Sequence, residues 1–336
     1  MTTPSNIAEN RSKGAHRCAW LLVCATFPLI WVGGLVTTTD AGMAFRDWLT
    51  SDGHFMPFYP WLSSAGDKFV EHGHRLLGMT AGILSIALVI VSWLSEPRSW
   101  VRKFSLLILA GVILQGVIGG MRVVLDQRTL ALIHGCTGPL FFGMCAAMVV
   151  FTSSWWQNVS VKAESDGGRK VLRLAVLCTG MAYAQLVVGA VVRHSPYMLS
   201  ETASAIFQSA VYLHVLLALL IVGHVLLLAW RCFKNKTQVA GAIGLLALIV
   251  AQVSLGAGTW FVKYGIPQWA TSLLGERAFV NREADFLQAA IITSHVAVGS
   301  LILVTALVIS MRLARQMGVG VVGLSMSPSI LAEVAR

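Results

Sequence analysis

Eight stretches of this chain, 17–38, 70–94, 104–125, 129–152, 171–192, 207–230, 239–262 and 287–311, are each long and apolar enough to cross a bilayer. A spanning helix needs about 20 predominantly apolar residues, so the expected fold class is an all-α membrane protein of eight transmembrane helices. The composition agrees: 56% of the 336 residues are hydrophobic and 12% charged, and the mean hydropathy is +0.72. The formal charge of +10 does not point to nucleic acid in such a chain, because loops on the cytoplasmic side collect Lys and Arg. With the N-terminus inside, sixteen of the 25 Lys and Arg residues fall in inner segments and eight in outer ones. Both termini are therefore expected in the cytoplasm.

The first segment is too long for a signal-peptide core and is expected to remain as a helix. The lead-in MTTPSNIAENRSKGAHR is short and not an Arg-rich transit peptide, so the expected location is a bacterial cytoplasmic membrane. The six cysteines sit in or beside the apolar segments without a CxxC spacing, and reduced thiols are expected. The chain divides into a tail (1–16), a first four-helix bundle (17–152), a linker (153–170), a second bundle (171–312) and a tail (313–336). Four spans precede the linker and four follow it. The two bundles thus keep one orientation and are expected to be related by a pseudo-two-fold axis along the membrane normal.

Two patterns repeat. The third, fifth and seventh segments carry Q-x-x-x-G: Gln115 and Gly119, Gln185 and Gly189, Gln252 and Gly256. The first has WVGGLV at the corresponding depth and no glutamine. Small residues permit close helix approach and an intramembrane glutamine can bond across an interface, so packing alone is one reading. The even-numbered segments carry His74, His134, His214 and His295 in their first turns, all near the outer side. One histidine on an apolar helix is usually a packing residue; four at one depth point to ligand duty. Pairs of imidazoles without thiolates suit bis-histidine haem ligation inside a bundle, whereas zinc needs three or four close ligands. The pairs expected are His74 with His134 and His214 with His295.

Arg75, Arg122 and Arg193 lie near the same ends, where they can bind haem propionates or simply reach the interface. Glu71 precedes His74 by three residues and shares its helix face; Val211 and Ile292 stand three residues before His214 and His295. One site therefore has a carboxylate for proton transfer, although an ion pair from Glu71 to Arg75 is the plainer alternative. His72 points away from the His74 face and His224 lies about 15 Å further along its helix than His214, so both read as packing or interfacial residues.

The run Glu71-His72-Gly73-His74-Arg75, the four histidines and the repeat layout resemble the haem A synthase family over all eight segments. The resemblance implies a resident haem b in the second half at His214 and His295. It also implies haem O as substrate and haem A as product at His74 and His134, with Glu71 catalytic. The implied reaction is successive hydroxylation of a porphyrin methyl group, then dehydration to a formyl. A haem O synthase is implied as functional neighbour, and an electron donor is required. Many bacterial members carry a cysteine pair in the first outer loop; here Gly42, Asp47 and Trp48 fit that loop, but Phe45 and Ser51 occupy the cysteine places. A thiol-linked electron route through the loop is thereby excluded. Two other functions fit a membrane bundle with buried histidines. A dihaem quinol-oxidising carrier commonly needs histidines at two depths, and a repeat-built proton-coupled transporter needs broken helices at the midplane.

Overall fold

The computed structural model describes residues 4–161, 166–195, 201–264 and 286–319. Arg277, Arg282 and Arg336 of the charge count, with Lys162 and most of the C-terminal tail, lie outside the described residues. Eight long helices account for almost all of the rest: α1 Pro4–Thr38, α2 Gly66–Ser95, α3 Ser99–Val124, α4 Arg128–Thr152, α5 Asp166–His194, α6 Glu201–Lys234, α7 Val239–Tyr264 and α8 Phe286–Gln316. Each contains a run apolar enough to cross a membrane. The chain is a multi-pass membrane protein with eight candidate spans. The helices start earlier than the apolar runs where polar residues continue the backbone ladder, as at Pro4 and Asp166. Hydropathy locates the hydrocarbon-crossing part of a helix, not its ends.

In the first half α1 packs on α2, α2 on α3, α3 on α4, and α4 returns to α1; α5 to α8 close a second ring in the same way. The halves meet where α1 and α4 pack on α8 and α4 packs on α5. Each ring has its own core, Leu22, Leu88, Ile108 and Met148 in the first and Val225, Leu228, Leu245 and Ile309 in the second. Fully buried alanines such as Ala19, Ala81 and Ala175 let the helices approach closely, which matters in lipid because packing replaces the hydrophobic drive between spans. Outward-facing Ile83, Ile86 and Ile90 are half exposed or more, as residues bathed by acyl chains are.

A third cluster, Ala147, Val150, Phe151, Trp156 and Met311, joins the halves at the end opposite the histidines. It draws in the start of the linker, where Ser154–Asn158 forms a short helix capped by Ser153, whose hydroxyl accepts from the Trp156 N–H at 3.2 Å. Arg315 of α8 donates to the Trp156 carbonyl at 3.0 Å and stands 5.6 Å from its ring. The six cysteines are unpaired, in line with expectation; Cys24 is exposed rather than packed.

The α1–α2 loop is compact. It holds a short antiparallel pair, Thr50–Ser51 with His54–Phe55, turned by Asp52 and Gly53 at φ 50° and 77°. An Asp-Gly tip in the left-handed region is the chemistry that a two-residue hairpin demands.

Candidate functional site

Each even-numbered helix carries one of the four candidate ligands, His74, His134, His214 and His295, and each odd-numbered helix clears a space for it. A methyl group at Gly33 of α1 would lie 2.8 Å from His74 Cε1. At Gly119 of α3 it would lie 3.1 Å from His134, at Gly189 of α5 3.1 Å from His214, and at Gly256 of α7 3.0 Å from His295. The repeated glycine is therefore more than a general packing device: it is the wall of an imidazole niche. The glutamine one turn earlier fastens the neighbouring helix. Gln115 donates to the Thr137 hydroxyl at 2.6 Å and Gln185 to the His214 carbonyl at 2.9 Å.

The niches bring the rings together in the expected pairs. His74 and His134 lie 6.3 Å apart between centroids with their planes at 85°, and His214 and His295 lie 6.2 Å apart at 66°. The Nδ1 atom of all four is buried without a hydrogen-bond partner. Leaving such a group unsatisfied costs about 1–3 kcal/mol, so four at equivalent places are a reserve that a ligand can draw on. Two metal–nitrogen bonds of about 2.1 Å plus the distance from each nitrogen to its ring centre match the observed separations. Among the described residues no group of three or more His, Cys, Asp or Glu side chains is placed to hold a metal ion. Each pair by itself brings two imidazole nitrogens together, fewer than the three or four protein ligands of a zinc site.

The first helix faces both halves through the two glycines of WVGGLV. Gly33 faces His74, while a methyl group on the adjacent Gly34 would meet Thr293 of α8 at 2.9 Å. Trp31 donates to the Ser294 hydroxyl at 3.3 Å, and Thr38 and Thr293 hydroxyls are 3.4 Å apart.

Among the described residues, the first pair alone has a polar cap. Glu71 is 2% exposed; one carboxylate oxygen accepts from the backbone N–H of Ala44 and Phe45, at 2.8 and 3.2 Å, and the other from Arg75 at 2.8 Å. Arg75 spends its remaining reach on the carbonyls of Asp47 and Thr50, and Arg122 donates to the Gly42 carbonyl at 3.2 Å. The ion pair that was the plainer reading of Glu71 is thus present, and its setting is a clamp on the α1–α2 loop. Arg193 donates to the Gly34 carbonyl and the Thr38 hydroxyl, both at 2.5 Å, so it ties the end of α5 to the end of α1 across the two halves.

His72, read as a packing residue, is one. It is buried, shares a 3.0 Å hydrogen bond with the Ser51 hydroxyl, and lies under the Tyr59 ring at 4.7 Å. His224 bonds the Leu220 carbonyl of its own helix at 2.7 Å. Phe45 and Ser51 are both buried, and the Arg75 guanidinium stands 4.8 Å from the Phe45 ring. Asp47 braces the hairpin by accepting from Thr50, Asp52 and Gly53. Burial opposes its charge, and these donors outweigh that, holding its carboxyl below the usual range.

Trp48 closes the clamp by lying flat against Gly120, where any side chain would overlap the indole. Gly120→Ala is expected to expel Trp48 and loosen the loop. Limited proteolysis of the membrane-embedded protein should then cut within 45–55 several-fold faster than in the parent, and an unchanged rate would refute this seating of the loop. Nothing in the sequence marked Ser51, Trp48 or Gly120 as partners of this cap; the contacts join residues from 21 to 72 positions apart.

A model of the cytochrome oxidase assembly protein family COX15-CtaA matches residues 63–273, a span that takes in Glu71, His74, His134 and His214. A protein named haem A synthase from Exiguobacterium is 29% identical over 251 residues, covering 70% of this chain and 78% of its own length. One of the same name from Symbiobacterium thermophilum is 28% identical over 251 residues, covering 68% and 79%. Another, from Chelativorans, is 32% identical over 159 residues, 44% of each chain.

Proposed function

The chain belongs to the COX15-CtaA family of cytochrome oxidase assembly proteins, and we propose that it is a haem A synthase, an oxidoreductase converting haem O to haem A. The observation that carries this reading is the inequality of two otherwise matching histidine pairs. Both have glycine niches and orphaned Nδ1 atoms, but among the described residues a buried carboxylate and a clamped loop stand beside the first pair alone. In this reading His214 and His295 hold a resident haem b, which supplies one-electron transfer. His74 and His134 hold the substrate, haem O.

The chain's own residues then divide the work. The imidazole pairs orient the bound groups and fix their depth. The glycine walls keep each ring in one rotamer. The loop tethered by Glu71, Arg75 and Arg122 excludes water from the first site, and excluding water strengthens every polar interaction within it. Glu71 is the acid–base group of that site: it sits one turn from His74, and releasing its bonds to Ala44 and Phe45 would free an oxygen to take or give a proton. Arg75, Arg122 and Arg193 add positive charge at the same ends and suit carboxylate substituents of the ligand. The oxidation takes two electrons from a porphyrin methyl carbon in each of two hydroxylations, passes them to an external oxidant, and ends with loss of water from the resulting diol to the formyl. The two halves, 17–152 and 171–312, are read as copies of one four-helix unit related by a two-fold axis, with the histidine ends on the extracytoplasmic side of a bacterial cytoplasmic membrane. The haem O synthase that makes the substrate is the expected functional neighbour.

The test is mass spectrometry of haem extracted from aerated cells that express the chain together with a haem O synthase. Haem A is expected with the parent chain. Glu71→Gln should leave haem O or a hydroxylated intermediate, because the amide keeps an acceptor for the loop but cannot cycle a proton. Breaking a buried ion pair costs about 3–5 kcal/mol, so loop proteolysis is measured alongside: a firm loop with stalled product assigns acid–base duty, and a loosened loop with stalled product assigns anchorage. Haem b and unreacted haem O from a fully loaded parent chain would sink the synthase reading and favour an electron carrier.

A further inference from the structure

We propose that the exposed apolar side of the α1–α2 loop, built from Phe55, Phe58 and Leu62, is a lipid-binding surface that seats the loop in the interfacial layer of the bilayer. These side chains are 62%, 78% and 85% exposed, while Phe45 and Ser51 on the loop's other side are buried. The exposure is not that of a slack segment. The backbone is held from beneath by Glu71, Arg75 and Arg122, and the Trp61 indole N–H donates to the Phe69 carbonyl at 2.8 Å. A tethered loop that turns large apolar groups outward forfeits their burial unless something apolar receives them.

The occupant follows from what the patch adjoins. Phe55 and Phe58 rings are 5.9 Å apart, and Trp61 stacks on Phe69 of α2 at 4.9 Å. Phe69 is itself exposed and shares a side of α2 with Ile83 and Ile90, which the helical repeat places within about 60° of it. The loop patch therefore continues the acyl-facing surface of the bundle and does not stand apart from it. Its make-up, MPFYPW over 56–61, is that of an interface: aromatic bodies with Tyr and Trp handles settle at headgroup depth. Lys68 beside it is already paired with Asp52 at 2.5 Å.

The test uses the full chain in phosphatidylcholine vesicles, with a nitroxide on Phe58→Cys and, as the water-facing reference, on Asp67→Cys. The unsubstituted chain supplies the background from native cysteines. The label at 58 is expected about 5–10 Å inside the headgroup boundary, favouring collision with oxygen over a water-soluble nickel complex, and the label at 67 the reverse. Equal nickel access at both positions overturns the proposal. Hydroxyl-radical footprinting of the unsubstituted chain guards against a label-driven result. Phe55 and Phe58 oxidised as slowly in pure lipid vesicles as in native membranes uphold a lipid surface. Protection in native membranes alone assigns the patch to a protein and overturns it.

Discussion

Replacing His214 with alanine is expected to leave a chain with about one haem where the parent, purified from cells that make haem O, carries about two. The ring sits in a niche walled by Gly189 and faces His295 at 6.2 Å; without it the remaining imidazole offers a single axial bond. The loss should fall on the second half, because the first pair is built from α2 and α4 and shares no ligand with it. The complementary change, His74→Ala, should remove the first haem, keep haem b and abolish haem A. Pyridine haemochrome assay and extracted-haem chromatography read both. A His214→Ala chain that keeps its full haem content, or a His74→Ala chain that loses haem b and keeps haem O, would refute the assignment of the pairs.

The second large effect comes from a methyl group. Gly33→Ala would set a carbon 2.8 Å from His74 Cε1, too close for either the ring or the helix to remain in place. Overpacking of this kind costs about 1–3 kcal/mol, which is roughly 5- to 150-fold in a binding constant at about 1.4 kcal/mol per decade. Haem retention at the first pair is expected to fall by that order while haem b in the second half stays. An internal control lies on α3, where Gly116 has nothing within 4 Å and Gly119, one turn on, walls His134 at 3.1 Å. Gly116→Ala should be neutral or stabilise the helix by up to about 1 kcal/mol, whereas Gly119→Ala should lower haem content. Equal effects at 116 and 119 would mean that the glycines serve helix contact in general and not the imidazoles.

Those glycines also show where reading along the chain stops. The Q-x-x-x-G repeat is visible, and so are the four histidines, but the distance from each glycine to the ring it houses runs from 15 residues, Gly119 to His134, to 41, Gly33 to His74. No fixed spacing links them. Only the ring of helix contacts, each odd helix beside the next even one, turns two separate patterns into one niche. Glu71 is a similar case. Its place one turn from His74 follows from helical periodicity, yet its partners Ala44 and Phe45 come from a loop whose course depends on the Asp47 hairpin and on Trp48 finding Gly120. Arg193 was legible as a cation at the right end of its helix; that it bonds α1 of the other half was not.

The sequence by itself determined the number of spans, the all-helical class, the alternation of the histidine-bearing helices and the family. The reason is that hydrocarbon imposes a length of about 20 apolar residues and a saturated backbone on any chain that crosses it, and both can be read locally. The tertiary structure alone decided which surfaces meet: that Gly33 and Gly34 turn the first helix toward both halves, that Glu71 holds a loop, and that Phe45 and Ser51 of that loop are buried. Between spans no hydrophobic drive selects partners. The choice falls to steric fit and single hydrogen bonds among residues far apart in the chain, and these exist only once the helices have packed.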